Sequence, residues 1–139
     1  MSWIASAFVS MLFAGVTAVI AKKGLDGISA DLGLAIRTVF VFVFTLTFAA
    51  FVVPHKDLND LKSSNWLWLS GSAVTTTLSW IFYYRAIKMG EVSTVALIDK
   101  GSVVVSVILA LLVLHESMTA PKFLGSALIV GGLIVLARG

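Results

Sequence analysis

The sequence has no cysteine, two prolines and two histidines among its 139 residues. Without cysteine there is no disulfide, no thiolate nucleophile and no thiolate metal site. His55 and His115 stand beside Pro54 and Glu116 in expected loops, too isolated to suggest metal ligands, so neither metal nor cofactor is expected. No nucleophile–base set is present either, which argues against an enzyme. Charge is equally scarce. Only 12% of residues are Asp, Glu, Lys or Arg, and the net charge of +3 is scattered, with no basic patch for nucleic acid. The first apolar run lacks a basic segment before it and a cleavage site after it, so it is expected to be retained as a helix.

The chain is instead 59% hydrophobic, with a mean hydropathy of +1.04. A water-soluble domain of this size has a polar surface to cover and does not have this composition. Runs of about twenty apolar residues are the length that crosses a hydrocarbon core of roughly 30 Å. The expected fold class is an all-α membrane protein, a single domain over 1–139 with five transmembrane helices at about 3–21, 34–53, 66–84, 92–114 and 120–137. Thr119 is placed to cap the last helix, and Pro121 falls in its first turn, where a missing N–H costs nothing. Trp3, Trp66, Trp68 and Tyr84 lie near span ends, as interfacial aromatics do. The lipid bilayer of the cell (inner) membrane is the expected surrounding, crossed several times.

Five spans put the termini on opposite faces. One face would take Lys22, Lys23, Arg85, Lys88 and Arg138, the other Lys56, Lys62 and Lys122. Five against three places the C-terminus in the cytoplasm, by a bias small enough to allow insertion both ways.

The fourth run contains ALIDKGSVVV, where Asp99 and Lys100 sit side by side among aliphatic residues. At a span centre such a pair costs about 6 kcal/mol on the insertion scale. Adjacent helical residues do not face each other, so the two are a poor ion pair within regular helix. Either Gly101 lets the backbone break there, or each charge finds a partner on another helix. A structural ion pair that fixes packing is the plain alternative to a functional site. Asp99, Ser102 and Ser106 share one helix face, and the third run carries a stripe of Ser72, Thr76, Trp80 and Tyr84, flanked by Ser79 and Tyr83. These faces could line a water-accessible cavity, or their hydroxyls could bond to their own helix. Arg37, one turn into the second run, could snorkel to the interface or turn inward. In the last run Gly125 and Gly132 lie seven apart, and Ala127 and Gly131 form a small-xxx-small step, a packing device that serves one chain or two.

The whole chain resembles the EamA family of the drug/metabolite transporter superfamily, in particular its short members with one five-helix repeat. The resemblance rests on AKKGL at 21–25, IRT at 36–38, SWIFYYRAIKMG at 79–90, IDKGS at 98–102 and the glutamate of LHESMT at 114–119. Short members tend to show Pro-Ile-Asp-Lys-Leu-Ser in the fourth helix; here Leu97 replaces the proline and Gly101 the leucine. Longer relatives carry two such repeats in inverted orientation. The resemblance therefore implies that this chain pairs as an antiparallel homodimer. Its glycine-spaced last helix is also similar to the dimerising helix of small multidrug resistance proteins. Inverted repeats around a midplane site are a common transporter plan.

The expected function is secondary active transport, as an exporter of small metabolites by alternating access. Asp99 would be the proton-coupled carboxylate. Lys100 and Arg37 would meet an anionic group of the small-molecule substrate, and Trp80, Tyr83 and Tyr84 would form apolar walls beside Thr76, Ser102 and Ser106. Asp99, Lys100 and Arg37 sum to one positive charge if all face the cavity, which suits an anion or zwitterion better than a cation. Two other readings are a flippase for an anionic lipid headgroup and a non-transporting assembly subunit.

Overall fold

The computed structural model describes residues 2–138, and among them only helix, turn and connecting segments occur. Six α-helices follow one another in the described residues: α1 (Trp3–Gly24), α2 (Ala30–Val52), α3 (Ser63–Met89), α4 (Val92–Asp99), α5 (Ser102–Val113) and α6 (Ala120–Arg138), with a 3-10 helix at His55–Asp60 between α2 and α3. Among the described residues four segments are long and apolar enough to cross a membrane: α1, α2, α6 and the combined run of α4 and α5, Val92–Val113. The expected fourth span is thus two helices in line. The expected third span coincides with a helix, α3, which is the longest, with 27 residues. It does not reach the apolarity of the other four, because serines, threonines and Asn65 are spread along it.

The helices begin and end where local chemistry permits. α2 starts at Ala30, four residues earlier than hydropathy alone suggests. The Ser29 side chain accepts a hydrogen bond from the Leu32 amide at 3.2 Å, and Asp31 adds negative charge to the first turn. Gly27, at φ 71°, makes the preceding turn in a conformation that glycine tolerates without strain. α6 starts at Ala120, directly after Thr119, with Pro121 in its first turn.

The chain divides into two compact units. One is Ile20–Met89; the other comprises the described residues before and after it. In the first unit, α2 and α3 run antiparallel. Asp31 at the start of α2 meets Arg85 near the end of α3, while Arg37 meets Trp80. The buried side chains of this unit are Leu25, Ala30, Leu34, Tyr84 and Ile87. Leu25 packs so closely on Gly33 that a Cβ there would overlap its methyl group. The phenylalanines of α2, by contrast, stand outward: Phe44 is 67% exposed and Phe51 85%. Apolar rings so exposed on an apolar helix mark a surface made for lipid or another helix.

The last turns of α1 and α3 are joined by exchanged caps. Lys22 of α1 donates to the last carbonyls of α3, Ile87 at 2.5 Å and Lys88 at 3.3 Å. Lys88 of α3 donates to the carbonyl of Leu25, just past α1, at 2.8 Å. Each ammonium thus meets carbonyl oxygens at a helix end, where backbone acceptors are otherwise left over and the helix dipole favours positive charge. Hydrogen bonds to charged groups contribute about 1.5–3 kcal/mol. Lys22→Met should therefore lower stability in mild detergent by about 2–3 kcal/mol, whereas Lys23→Met, at an exposed neighbour, should change it by under about 0.5 kcal/mol. Equal thermal unfolding of the two variants would show that the exchanged caps contribute nothing.

In the second unit, α4 and α5 both pack on α6. The connection from α5 to α6 is fixed by Lys122, which pairs with Glu116 at 2.9 Å and donates to the Ser117 carbonyl at 3.3 Å. His115 takes the left-handed conformation at φ 55°, and the Ala110 carbonyl accepts from both Leu114 and Glu116 as the chain leaves the helix.

Candidate functional site

Asp99 and Lys100 lie at the junction of α4 and α5, inside the apolar run Val92–Val113. There the helix tightens. The amides of Gly101, Val103 and Val104 bond three residues back, to Ile98 (2.9 Å), Lys100 (3.1 Å) and Gly101 (3.0 Å). Lys100 (φ −64°, ψ −16°) and Gly101 (φ −59°, ψ −24°) have the dihedrals of a 3-10 turn. Gly101 therefore supplies no unusual torsion. It supplies room: a Cβ at this position would stand 2.9 Å from Cδ1 of Leu133 on α6 and 3.0 Å from the Ile98 carbonyl oxygen.

The tight turn sets the direction of the charges. In 3-10 winding, residues three apart eclipse each other, so Asp99 and Ser102 stack on one face and Lys100 points elsewhere. Asp99 is half-buried and Lys100 exposed. Among the described residues, neither forms an ion pair or a side-chain hydrogen bond. Ser102 is exposed. Ser106, one turn on, lines an apolar cavity of about 290 Å³ with Val103, Val107, Ala110 and Leu111, bordered by the Glu116–Lys122 pair.

A second group forms in the unit Ile20–Met89. The Arg37 guanidinium carbon lies 4.3 Å from the centre of the Trp80 ring and 5.8 Å from that of Tyr84. Arg37 and Trp80 are half-buried, and Tyr84 is buried at 5% exposure. Nη1 of Arg37 is enclosed and has no hydrogen-bond partner. The side chain lies across α3 instead of rising to the end of the bundle. Arg85 is differently employed: it holds Asp31 through two hydrogen bonds, at 2.9 and 3.2 Å. Tyr83, next to Tyr84 in the chain, is half-buried.

The hydroxyls of α3 divide by face. Thr75 bonds back to Ser72 (2.9 Å) and Thr77 to Ala73 (2.8 Å), the usual way for a threonine to satisfy itself in lipid. Ser72, Thr76 and Ser79 share another face and make no side-chain hydrogen bond among the described residues. Their hydroxyls are left for water, ligand or another polypeptide. On α6, an added Cβ at Gly125, Gly131 or Gly132 meets nothing within 4 Å. Ala127 and Gly131 line an apolar cavity of about 430 Å³ with Val104, Ile108 and Val130.

The structure thus brings Arg37, Trp80 and Tyr84 together, and it places Asp99, Lys100, Ser102 and Ser106 on consecutive turns in the other unit. Sequence reasoning missed the exchanged lysine caps and the Asp31–Arg85 pair, having read those cations only for orientation. Basic residues in the last turns of two helices were the signal that could have found them.

The chain matches the EamA-like transporter family over residues 1–138. A Sinorhizobium sp. protein named as an uncharacterized transporter in the cobO 3′ region is 35% identical over 136 residues, covering 98% of this chain and 96% of its own. No solved structure matches the chain.

Proposed function

We infer function from one premise: this chain belongs to the EamA-like transporter family and is a multi-pass membrane transporter. On that footing we propose a secondary active transporter, working as an exporter of small anionic or zwitterionic metabolites by alternating access and coupled to protons. The observation that carries this reading is the pair Asp99–Lys100, held without a side-chain partner at an irregular turn inside a 22-residue apolar run. An insertion cost of about 6 kcal/mol, with no compensating partner among the described residues, fits a site that water and substrate visit. In this reading Asp99 binds the coupling proton, and Lys100 and Arg37 attract the anionic group. Trp80, Tyr83 and Tyr84 give flat apolar walls, while Thr76, Ser102 and Ser106 offer hydroxyls. A pathway of this kind belongs to the inner membrane, where a proton gradient is available to drive it.

We count α3 as the fifth crossing. At 27 residues it is about 40 Å long, and α2, antiparallel to it, is about 35 Å. A helix packed along a membrane-crossing neighbour passes through the same depth. Its free hydroxyl face is then turned from lipid. Five helices are few to enclose a pathway open alternately to two sides, and we assign the other half to a second copy in inverted orientation. Gly125 and Gly132, open on the single chain, fit close approach by that copy. Gly125→Leu and Gly132→Leu should each turn a purified dimer into monomer and abolish flux. Variants that stay dimeric and active would assign this face to lipid.

Protein in liposomes tests transport directly. An organic anion that raises the thermal stability of the purified protein should be carried faster when a pH gradient is imposed. Anions that bind but are never carried would overturn the transport reading.

A further inference from the structure

We propose that Arg37 and Trp80 form a binding site for the carboxylate of a small, singly charged organic acid with a flat apolar group next to it. This deepens the preceding reading, on which its role as a substrate contact rests; the binding site itself stands on geometry.

Four observations lead there. First, Nη1 of Arg37 is enclosed without an acceptor, although the guanidinium lies 4.3 Å from the centre of Trp80. A contact with a ring face leaves the in-plane N–H donors unused, and a buried donor without an acceptor is costly. Second, the charge is unbalanced. Asp31 is occupied by Arg85 through both its oxygens, and Arg37 forms no ion pair among the described residues. A single guanidinium is neutralised by a single negative charge. A doubly charged phosphate would leave one charge over in a medium that penalises it.

Third, depth separates a free metabolite from a lipid headgroup. Arg37 is the eighth residue of α2, about 10 Å along the helix from its start. That start lies at the end of the unit where Arg85 and the exchanged lysines gather. The guanidinium is nearer Trp80 than Tyr84, the ring closer to that end of α3. It is thus directed away from the level at which lipid phosphates lie. Fourth, Trp80 is only half-buried, so its ring can still accept a planar neighbour.

Benzoate is a suitable probe, with benzamide as its neutral counterpart and phenyl phosphate as a more highly charged one. Titrations of the purified full chain in detergent, followed by calorimetry and thermal shift, should show benzoate binding more tightly than either. Arg37→Gln should weaken it at least 10-fold. Arg37→Lys should weaken it nearly as much, since an ammonium has no planar fork. Trp80→Phe should weaken it several-fold with the fold kept, and Lys23→Gln should leave it unchanged. Benzamide or phenyl phosphate binding as well as benzoate would overturn the proposal, as would benzoate binding that survives all changes at Arg37 and Trp80, or no binding of benzoate to folded protein. If Asp99→Asn tightens benzoate 10-fold or more, the guanidinium's natural acceptor is a protein carboxylate, and the proposal fails. Benzoate that binds with the expected preferences but is not carried in liposomes supports the site and counts against its use in transport.

Discussion

Asp99→Asn is expected to give a folded, assembled protein that still binds its anion but whose transport no longer responds to a pH gradient. Asparagine keeps the shape of the side chain and one of its acceptors but cannot take up a proton. It also removes the charge, and with it part of a penalty of about 3 kcal/mol for a carboxylate within a span, so insertion should not suffer. Stability should stay level or rise, while gradient-driven flux falls at least 10-fold. Lys100→Met is the companion change. It keeps the length of the side chain, removes about 3 kcal/mol of insertion cost and takes away a positive charge. Anion affinity should fall while stability does not. If the two charges act only as a clamp, the double replacement Asp99→Leu with Lys100→Met should keep both stability and flux, as apolar substitutes for buried ion pairs often do. Flux measured on these three variants decides between the readings. A wild-type response to the gradient in Asp99→Asn ends the proton-coupling role.

Gly101→Val should clearly destabilise the unit that holds α4, α5 and α6. Helix propensity alone argues the other way. Gly101 has φ −59°, and replacing a helical glycine by alanine gains about 1 kcal/mol. Space opposes this gain. The added Cβ would lie 2.9 Å from Leu133 Cδ1 and 3.0 Å from the Ile98 carbonyl oxygen. The leucine methyl can swing aside; the carbonyl belongs to the tight turn and cannot move without opening it. Overpacking of this kind costs about 1–3 kcal/mol. Alanine should then fall between no change and a loss of about 2 kcal/mol, the propensity gain set against the overlap. Valine keeps only a small part of that gain and adds two methyl groups beyond the Cβ, so a loss of about 3 kcal/mol is expected. Thermal unfolding of the single variants and of Gly101→Ala with Leu133→Ala closes a mutant cycle. A favourable coupling of about 1 kcal/mol would confirm the contact. Additive effects, or an unchanged Gly101→Val, would remove it.

The apolar runs were legible because the cost of placing residues in lipid is a sum over each segment, and a sum needs no knowledge of neighbours. Trp3–Gly24, Val92–Val113 and Ala120–Arg138 follow the expected segments closely. The limits of the sum show at α3. Its helix is present, but its composition lies below that of the other four, because a run with one polar face has a low mean. At α2 the hydropathy placed the start four residues late. The first turn is polar, and it is Ser29 and Asp31 that begin the helix.

At the candidate site, the sequence alone determined which residues are out of place in an apolar run: Asp99, Lys100, Arg37 and the hydroxyl stripe of α3. Only the tertiary structure decided what each of them meets. Arg37 could have snorkelled; the antiparallel pairing of α2 with α3 laid it on Trp80. Gly101 looked like a source of backbone freedom; packing made it a gap filled by Leu133 of α6. Lys22 looked like an orientation signal, yet it caps a helix end 65 residues away. The physical reason is the same in each case. Helical periodicity assigns a residue to a face, and hydropathy assigns a segment to the membrane, but both are properties of one helix. A partner is fixed only by where a second helix crosses the first, and that crossing depends on every contact along both.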